Sequence, residues 1–239
     1  MAVLVLLDTN VILAACLPPS MDSKGGMAER LFRILKKNEI RPMITETVKE
    51  EFEKKLYERI GWILDTLRSL YSGPMKPALT DDVNSLDILE GIFARLRTET
   101  KEALGALQLL ETEMAASMEE KESTESEQWD NLVLSLTAKT TILHAEVMRR
   151  FDAAGIEVIA KQPLSDPGRF EGSVPKSDAP HIAAAEAVAK AKDSKVIFVT
   201  LDGELHAKRD EIHGIASDVV VTTPPFLQRQ IDRLSSLHP

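Results

Sequence analysis

Four acidic side chains stand where the sequence predicts the end of a strand or the first turns of a helix. Asp8 follows the apolar run VLVLL, and Asp202 follows VIFVTL. Asp178 precedes an alanine-rich helical segment, and Glu51 lies in the helix predicted after the segment IRPMI. Carboxylates that come close together repel unless a cation neutralises them, and hard divalent ions such as Mg²⁺ or Mn²⁺ prefer oxygen ligands. The pattern indicates a metal site if the fold brings these residues together.

The pattern of apolar, glycine and proline residues predicts the elements that would position these acids. Short, β-rich apolar runs predict buried strands at residues 3–7, 40–44, 156–160, 196–200 and 218–222. Helical periodicity predicts helices at residues 27–38, 46–60, 178–192 and 224–236, and residues 11–17 could begin another. Strands that alternate with helices imply parallel pairing. We therefore expect an α/β fold with three layers (α/β/α) and a central, mostly parallel five-stranded sheet.

Residues 61–150 differ from the rest of the chain because they carry long helical patterns and few strand signals. They predict helices at 81–118 and 128–150, with an acidic, serine-rich turn or loop at 119–130. We interpret the chain as a discontinuous α/β domain of residues 1–60 and 151–239, interrupted by a helical insertion at 61–150. The long helices of the insertion offer surface for self-association or for a partner.

A helical wheel separates the glutamates that follow the second predicted strand. Val48 and Phe52 define the inward side of the first turns of that helix. Glu51 lies on the flank of this side, whereas Glu50 lies opposite it. Glu51 could therefore reach the sheet edge. Glu50 should face water or form a capping box with Thr47.

Charge and cysteine content limit the class of protein. The net charge of −9 argues against a broad basic surface, so any nucleic-acid binding should be local. The single cysteine, Cys16, excludes a disulfide within the chain and a cysteine zinc site, and it favours a cytoplasmic setting. Asp8 interrupts the apolar start of the chain, which argues against a signal peptide, and no other apolar run is long enough for a membrane span.

The four segments that carry the acids resemble the motifs of the PIN-domain family of metal-dependent ribonucleases, which includes the VapC-type toxins. LDTNVIL looks like the family's first motif, and ITETVKEEF is similar to the segment that supplies its glutamate. SDAPHIAAA resembles the third motif, and FVTLDGEL resembles the last. The matches cover roughly residues 1–60 and 155–222. The helical insertion departs from the family's typical toxins, which are much shorter.

The resemblance implies a PIN-like fold and an endoribonuclease that hydrolyses phosphodiesters of single-stranded or structured RNA. It implies one or two Mg²⁺ or Mn²⁺ ions bound by Asp8, Glu51, Asp178 and Asp202. Some members of the family have a further acid two positions after the last aspartate, which is Glu204 here. One ion would lower the pKa of the attacking water, and a second, about 3.5–4 Å away, would stabilise the leaving oxygen.

Further polar and basic side chains near the motifs could position ligands or substrate. They are Thr9, Asn10, Ser177, Thr200, Lys176 and Arg169. Thr9 and Asn10 could instead make turn hydrogen bonds after a strand, and Ser177 or Asp178 could cap a helix. Two stretches are candidate RNA contacts: the loop 161–177, which carries Lys161, Arg169 and Lys176, and the basic stretch 30–41. His181, in the third motif, could help near a phosphate or could be only packed or solvated.

Two other functions stay open at this point. One is a PIN-like scaffold or binding protein without useful turnover. The other is a phosphohydrolase of the haloacid dehalogenase type, but that chemistry needs a second aspartate two residues after the first, and Asn10 occupies this position. The expected partners are RNA, an antitoxin-like or other protein, and a second copy of the chain through the insertion. No membrane partner is expected.

Overall fold

Five parallel strands form the centre of the molecule, in a computed structural model that describes residues 3–18, 22, 24–72, 112, 125–160, 166–170 and 172–236. The strands are β1 (Val3–Leu7), β2 (Pro42–Thr45), β3 (Glu157–Ile159), β4 (Lys195–Val199) and β5 (Val219–Thr222). Their order is β3-β2-β1-β4-β5, and every neighbouring pair is parallel. The sheet is thus wholly parallel, where the sequence predicted a mostly parallel one.

Helices connect the strands and flank the sheet. They are α1 (Thr9–Cys16), α2 (Gly25–Lys37), α3 (Glu46–Ser72), α4 (Glu125–Ala153), α5 (Ala179–Lys192), α6 (Gly203–Ala207), α7 (Arg209–Ile215) and α8 (Leu227–Ser236). Two 3₁₀ turns, Pro167–Phe170 and Pro224–Phe226, precede α5 and α8. The predicted α/β class with an α/β/α arrangement is confirmed. Within the described part of the chain, no helix combines the length and the apolar character that a membrane crossing requires.

The strands are apolar throughout because helices cover both faces of the sheet. On one face, Leu6 of β1 and Phe198 of β4 share a buried cluster with Ile182 and Val188 of α5. Successive residues of a strand point to opposite faces, so the buried Val5 belongs to the other face. There α8 contacts β1 and β4, and α2 contacts both α1 and α8. Two-sided burial is what makes these strands read as continuous hydrophobic runs.

The centre of the sheet is a topological switch point. From β1 the chain proceeds to β2 on one side, whereas from β4 it proceeds to β5 on the other. Leu7 lies opposite Val199, and the backbone N–H of Asp8 donates to the carbonyl of Val199 at 2.9 Å. Open α/β sheets bind ligands beyond the carboxyl ends of their strands at such a point. The first and fourth strands are therefore neighbours, so the strand ends followed by Asp8 and Asp202 lie side by side.

The chain divides into two compact units. The first, called the sheet unit here, comprises Met1–Pro19, Ser23–Lys54 and Arg149–Pro239, and the second unit comprises Ser20–Asp22 and Lys55–Met148. All five strands lie in the sheet unit, and α3 and α4 each continue from it into the second unit. The assignment of residues 61–150 as an inserted domain stays a prediction.

Two local predictions are wrong. The predicted loop at 119–130 is wrong for residues 125–130, because α4 already begins at Glu125, whereas residues 119–124 lie outside the described part of the chain. The capping box of Thr47 and Glu50 is absent because α3 begins at Glu46, and the Thr45 hydroxyl accepts the N–H of Val48 at 3.4 Å. The helix predicted at 81–118 lies, apart from residue 112, outside the described residues.

The single cysteine is a core residue. Cys16 ends α1 with 1% of its surface exposed. Burial raises the pKa of its thiol to about 12, against the weaker effect of the Arg150 charge. A thiol with so high a pKa is a poor nucleophile and a poor metal ligand at neutral pH. The structure therefore agrees with reading Cys16 as a small buried hydrophobe.

Candidate functional site

Asp8 is the centre of a hydrogen-bond network at the carboxyl ends of β1 and β4. Its side chain is buried, with 8% of the residue exposed. Oδ1 accepts the backbone N–H of Thr9 at 2.7 Å, and Oδ2 accepts the Thr200 hydroxyl at 2.7 Å. Burial nevertheless raises the pKa of this carboxyl, although the Thr200 bond and nearby His181 oppose the effect. Such a carboxylate would be stabilised by a cation.

Thr200 and Asn10 hold Asp8 in place. The Thr200 hydroxyl donates to Asp8 and accepts the N–H of Asp202 at 2.9 Å and the Asn10 amide at 3.2 Å. Asn10 also donates to Asp8 Oδ2 at 2.8 Å and accepts the N–H of Leu201 at 2.9 Å. The hydroxyl thereby uses its one donor and both lone pairs. These side chains tie Asp8 to the loop after β4, which favours a positioning role over contact with a phosphate.

Glu51 reaches the same edge from the second turn of α3. Its Oε2 accepts the hydroxyl of Thr9, which is itself buried, and lies 3.0 Å from Nε2 of His181. Phe52 beside it is in the core, whereas Glu50 is exposed. The structure therefore places Glu51, and not Glu50, at the sheet edge, on the side that the helical wheel indicated.

His181 lies beside Glu51 at this site, and the sequence had left its role open between help near a phosphate and packing alone. Its ring is buried, with 6% of the residue exposed, and Nδ1 has no hydrogen-bond partner among the described residues. Burial lowers the pKa of the imidazole, but the Glu51 bond and the charges of Glu51, Asp8 and Asp178 outweigh it, so the net shift is upward. The available signal was spacing, because residues i and i+3 share one helix face and His181 follows Asp178 by three.

Asp178 occupies the N-cap position of α5 but its side chain does not cap the helix. Its Oδ1 accepts the Ser177 hydroxyl at 3.2 Å. Burial, then the charge of Asp8 and more weakly that of Asp202, raise the pKa of the Asp178 carboxyl, and the Ser177 bond lowers it. The side-chain capping role that the sequence left open is therefore wrong for Asp178.

Asp202, in contrast, does cap a helix. Its Oδ1 accepts the N–H groups of Glu204 at 2.7 Å and Leu205 at 3.1 Å, at the start of α6. Both bonds use the same oxygen, so Oδ2 can still bind a cation. Glu204, the further predicted ligand, is exposed in the first turn of α6.

Arg169 does not join the acids. Its guanidinium lies 3.1 Å from an oxygen of the buried Glu186 and donates to the carbonyl of Ile215 at 3.0 Å. Glu186 is about two helical turns beyond Asp178 on α5. Arg169 therefore ties the 3₁₀ turn before α5 to α5 and α7, and its predicted role in positioning substrate has no support in these contacts.

The loop before α5 keeps one basic candidate at the site. Lys176 is exposed and stands two residues before Asp178, next to the exposed Ser177. Lys161, from the same predicted RNA-contacting loop, lies outside the described residues. In the described part of this loop, Lys176 is thus the basic residue that remains a candidate for substrate contact, because of its position in the sequence.

The basic stretch 30–41 runs away from the acids. It follows α2 to its carboxyl end and then enters the amino end of β2. Arg41 forms an ion pair with Glu157 at 3.3 Å, where β2 and β3 begin. Because Asp8 follows the carboxyl end of β1, the last residues of this stretch lie at the opposite edge of the parallel sheet. They are poor candidates for contacts with a substrate held at Asp8.

Four elements thus bring carboxylates to one edge of the sheet, called the acidic edge here: Asp8 after β1, Glu51 on α3, Asp178 before α5 and Asp202 after β4. Their charges are coupled, since Glu51 affects the pKa of Asp8, and Asp8 and Asp202 affect that of Asp178. Among the described residues, no three His, Cys, Asp or Glu side chains already form a metal-binding group. The oxygen donors fit Mg²⁺ or Mn²⁺ in chemical type, and an ion would have to draw them closer.

Two cavities of the sheet unit have linings that do not include the four acids. A cavity of about 790 Å³ is bordered by Cys16, Leu35 and Pro42, and another of about 430 Å³ by Lys195 and Val220. As far as the described residues define these cavities, none of the four acids borders either one.

Comparison of the chain with protein-family models, with curated proteins and with solved structures finds no match.

Proposed function

We propose that this protein is a metal-dependent endoribonuclease of the PIN-domain kind, which hydrolyses phosphodiesters of single-stranded or structured RNA with Mg²⁺ or Mn²⁺. The observation that carries the proposal is the convergence of four carboxylates at the switch point between β1 and β4. Asp8 and Asp178 both have a raised pKa there, and perturbed acids that lie together at a ligand-binding edge favour a catalytic site.

Each group has a definite part in this reaction. Thr200 and Asn10 fix the carboxylate of Asp8, so it need not reorganise when charge develops on the phosphate. Asp178 keeps its carboxylate out of helix capping and can turn towards a ligand. A bound Mg²⁺ or Mn²⁺ would neutralise these acids and lower the pKa of the attacking water. Lys176, which is exposed two residues before Asp178, would pair with a phosphate beside the scissile one.

The wider setting belongs to the same proposal. A single buried cysteine suits a cytoplasmic protein. RNA is the proposed partner at the acidic edge. A second copy of the chain or an antitoxin-like protein is the proposed partner of the 61–150 segment.

The proposal is tested with labelled single-stranded RNA incubated with Mn²⁺, with Mg²⁺ or with EDTA. We expect cleavage only with metal, and a loss of about 100-fold or more in Asp8→Asn and Asp178→Asn, because each removes a charge that should hold the ion. Glu50→Gln is the matched control, since Glu50 is exposed next to Glu51, and it should cleave normally. Cleavage that survives in EDTA or in both aspartate variants would contradict the proposal.

One observation favours the alternative of a scaffold without turnover: the described acids do not yet form a metal-binding group. Calorimetric titration of Mn²⁺ into the same proteins separates the two functions. A nuclease should bind Mn²⁺ in the wild-type protein and lose the ion in Asp178→Asn. A scaffold of the same fold would give no saturable binding in either protein.

A further inference from the structure

Phe226 and His206 form a stacked aromatic pair at the protein surface. Their ring centroids are 6.2 Å apart and their planes differ by 2°. Phe226 is 51% exposed, so much of its ring stays open to solvent even though His206 stacks against it. Among the described residues of the sheet unit, it is the one aromatic residue among the exposed large hydrophobics.

The pair lies at the same edge of the sheet as the four acids. The N–H of His206 bonds to the carbonyl of Asp202 at 3.1 Å, so His206 is one helical turn, about 5.4 Å along the axis, from that acid. Phe226 ends the 3₁₀ turn that follows β5. The last residue of β5, Thr222, accepts the N–H of Thr200 at 2.9 Å, which keeps this end of β5 beside the Asp8 network.

The backbone presents Phe226 rigidly. The two prolines Pro224 and Pro225 begin its turn, and the N–H of Phe226 bonds to the carbonyl of Thr223 at 3.0 Å. Pro224 and Leu227 on either side are buried and anchor the segment. A single exposed hydrophobic residue needs no explanation in general. Here the anchored turn, the parallel stacking and the position beside Asp202 occur together.

We propose that Phe226, backed by His206, is a stacking platform for an unpaired nucleobase of the RNA next to the phosphate at the acidic edge. The proposal rests on the nuclease function above and names a substrate feature for it, an unpaired base close to the cleaved bond. Aromatic rings bind every base because each base has a π face, and they reach bases only outside a duplex. The platform therefore selects single-stranded segments without selecting sequence.

Charge supports this choice of interaction. The chain carries a net charge of −9, and the end of its basic stretch lies at the opposite edge of the sheet. Phosphate contacts alone would therefore give little binding free energy at the acidic edge, where four carboxylates repel the RNA backbone. Stacking does not depend on the charge of the protein and would supply the missing affinity.

The test measures binding of short single-stranded RNAs that carry 2-aminopurine at one position each, in EDTA so that nothing is cleaved. Wild type should quench the fluorophore strongly at one or two adjacent positions. Phe226→Ala should lose this quenching and weaken binding about 5- to 150-fold, whereas Phe226→Trp should keep both. Tyr57→Ala, which removes an exposed aromatic ring from the second unit, should behave as wild type.

A blunt-ended duplex of the same sequence provides the second arm. Wild type and Phe226→Ala should bind it equally and weakly. Equal affinity of these two proteins for single-stranded RNA, quenching unchanged in Phe226→Ala, or no binding of single-stranded RNA by wild type would each overturn the platform. Absence of metal-dependent cleavage despite Phe226-dependent binding would overturn the nuclease function alone, so the two failures are distinguishable.

Discussion

At the level of single residues, two kinds of buried carboxylate can be told apart by what surrounds them. Glu186 on α5 is 4% exposed, and the side chains of Arg169 and Lys190 pair with it. Asp8 is almost as buried, but the positive group that acts on its pKa is His181. A compensated acid is a structural element, whereas an acid whose pKa is raised at a ligand-binding edge is a functional candidate. This difference leads to a prediction about how the stability of the fold depends on pH.

The first prediction concerns Asp178→Asn in EDTA. Burial and the charge of Asp8 raise the pKa of Asp178 above its ordinary value of 3.8 in the folded state only. The unfolded chain therefore ionises first as pH rises. The stability contributed by the protonated carboxyl is present below about pH 3.8 and is lost as pH rises through the folded pKa. Asp178→Asn should hence be more stable than wild type at pH 7, and the advantage should vanish near pH 3.5, in urea unfolding followed by circular dichroism.

Two comparisons sharpen this prediction. Asp210→Asn changes an acid whose side chain is 88% exposed, so it should not give a growing stability advantage as pH rises. Saturating Mn²⁺ should raise the stability of wild type at pH 7 and cancel the advantage of Asp178→Asn, because ligand binding stabilises the state that binds. A variant less stable than wild type at pH 7 in EDTA would show that Asp178 is already paired.

At the level of elements, the way a helix begins decides whether an aspartate at its N-cap caps the helix or stays available for a ligand. One carboxylate oxygen of Asp202 accepts two N–H groups at the start of α6. Because α6 has 5 residues, few hydrogen bonds within the helix hold its first turn. The much longer α5 begins with Pro180 in its first turn, which removes one N–H that would need a partner. Asp178 is therefore released from capping, although both acids stand at the N-cap.

The sheet and the position of Glu51 were predictable because each follows from a local pattern of apolar residues in the sequence. Strands that are buried on both faces must be apolar at every position. The continuous apolar runs of β1 and β4 therefore predict buried strands. Glu51 was found because Val48 and Phe52 fix the inward side of α3 within one turn. Boundaries were less accurate, as when the strand predicted at 40–44 began at Pro42, since a proline in the first position of a strand loses no ladder bond.

Partners that depend on tertiary contact were not predictable. Arg169 was expected at the substrate, but its loop turns the guanidinium to Glu186, which is 17 residues away in sequence. The sequence left His181 open as a group near a phosphate or as a packed or solvated residue, but it did not predict that α3 brings Glu51 to its Nε2. Neither pairing has a local period, so a helix wheel or a motif cannot reveal it. Both pairings form only when elements that are separate in the sequence pack against each other.

The second prediction contrasts two basic residues that were expected to do the same thing. Arg169→Ala should lower the free energy of unfolding by about 1–2 kcal/mol, because it removes charged hydrogen bonds from Glu186 while leaving Lys190 in place. Its kcat/KM for RNA should be unchanged at a temperature where it is folded. Lys176→Ala should do the reverse, with stability within about 0.5 kcal/mol of wild type and a weaker kcat/KM.

Measured side by side, urea unfolding and initial cleavage rates decide between the two roles. A stable Arg169→Ala protein with a reduced kcat/KM would mean that Arg169 acts on the substrate, which its contacts to Glu186 and Ile215 do not predict. A Lys176→Ala protein that cleaves as wild type would remove the remaining basic contact from the proposed site.

At the level of the whole molecule, all the proposed chemistry belongs to the sheet unit. The four acids, the Asp8 network and the Phe226 platform lie within its three chain segments. At the end of the sheet unit, Phe52 of α3 stacks on Phe151 of α4 with ring centroids 5.2 Å apart. The chain therefore leaves and re-enters the sheet unit at neighbouring points.

The third prediction is that residues Lys55–Met148 can be replaced by a short flexible linker. Packed helices lie about 8–10 Å apart, and about six Gly and Ser residues span roughly 13 Å, so such a linker can join Lys54 to Arg149 without strain. The shortened chain should unfold in one cooperative transition. Its midpoint should rise with Mn²⁺, because every proposed ligand is retained.

Asp178→Asn in the shortened chain is the internal control, and its midpoint should not respond to Mn²⁺. Loss of the cooperative transition would mean that the second unit is needed to hold α3 and hence Glu51. A cooperative fold without a response to Mn²⁺, when the full chain responds, would mean that a ligand comes from Lys55–Met148. Retention of both properties would make the sheet unit sufficient for the metal site and leave the second unit for partners.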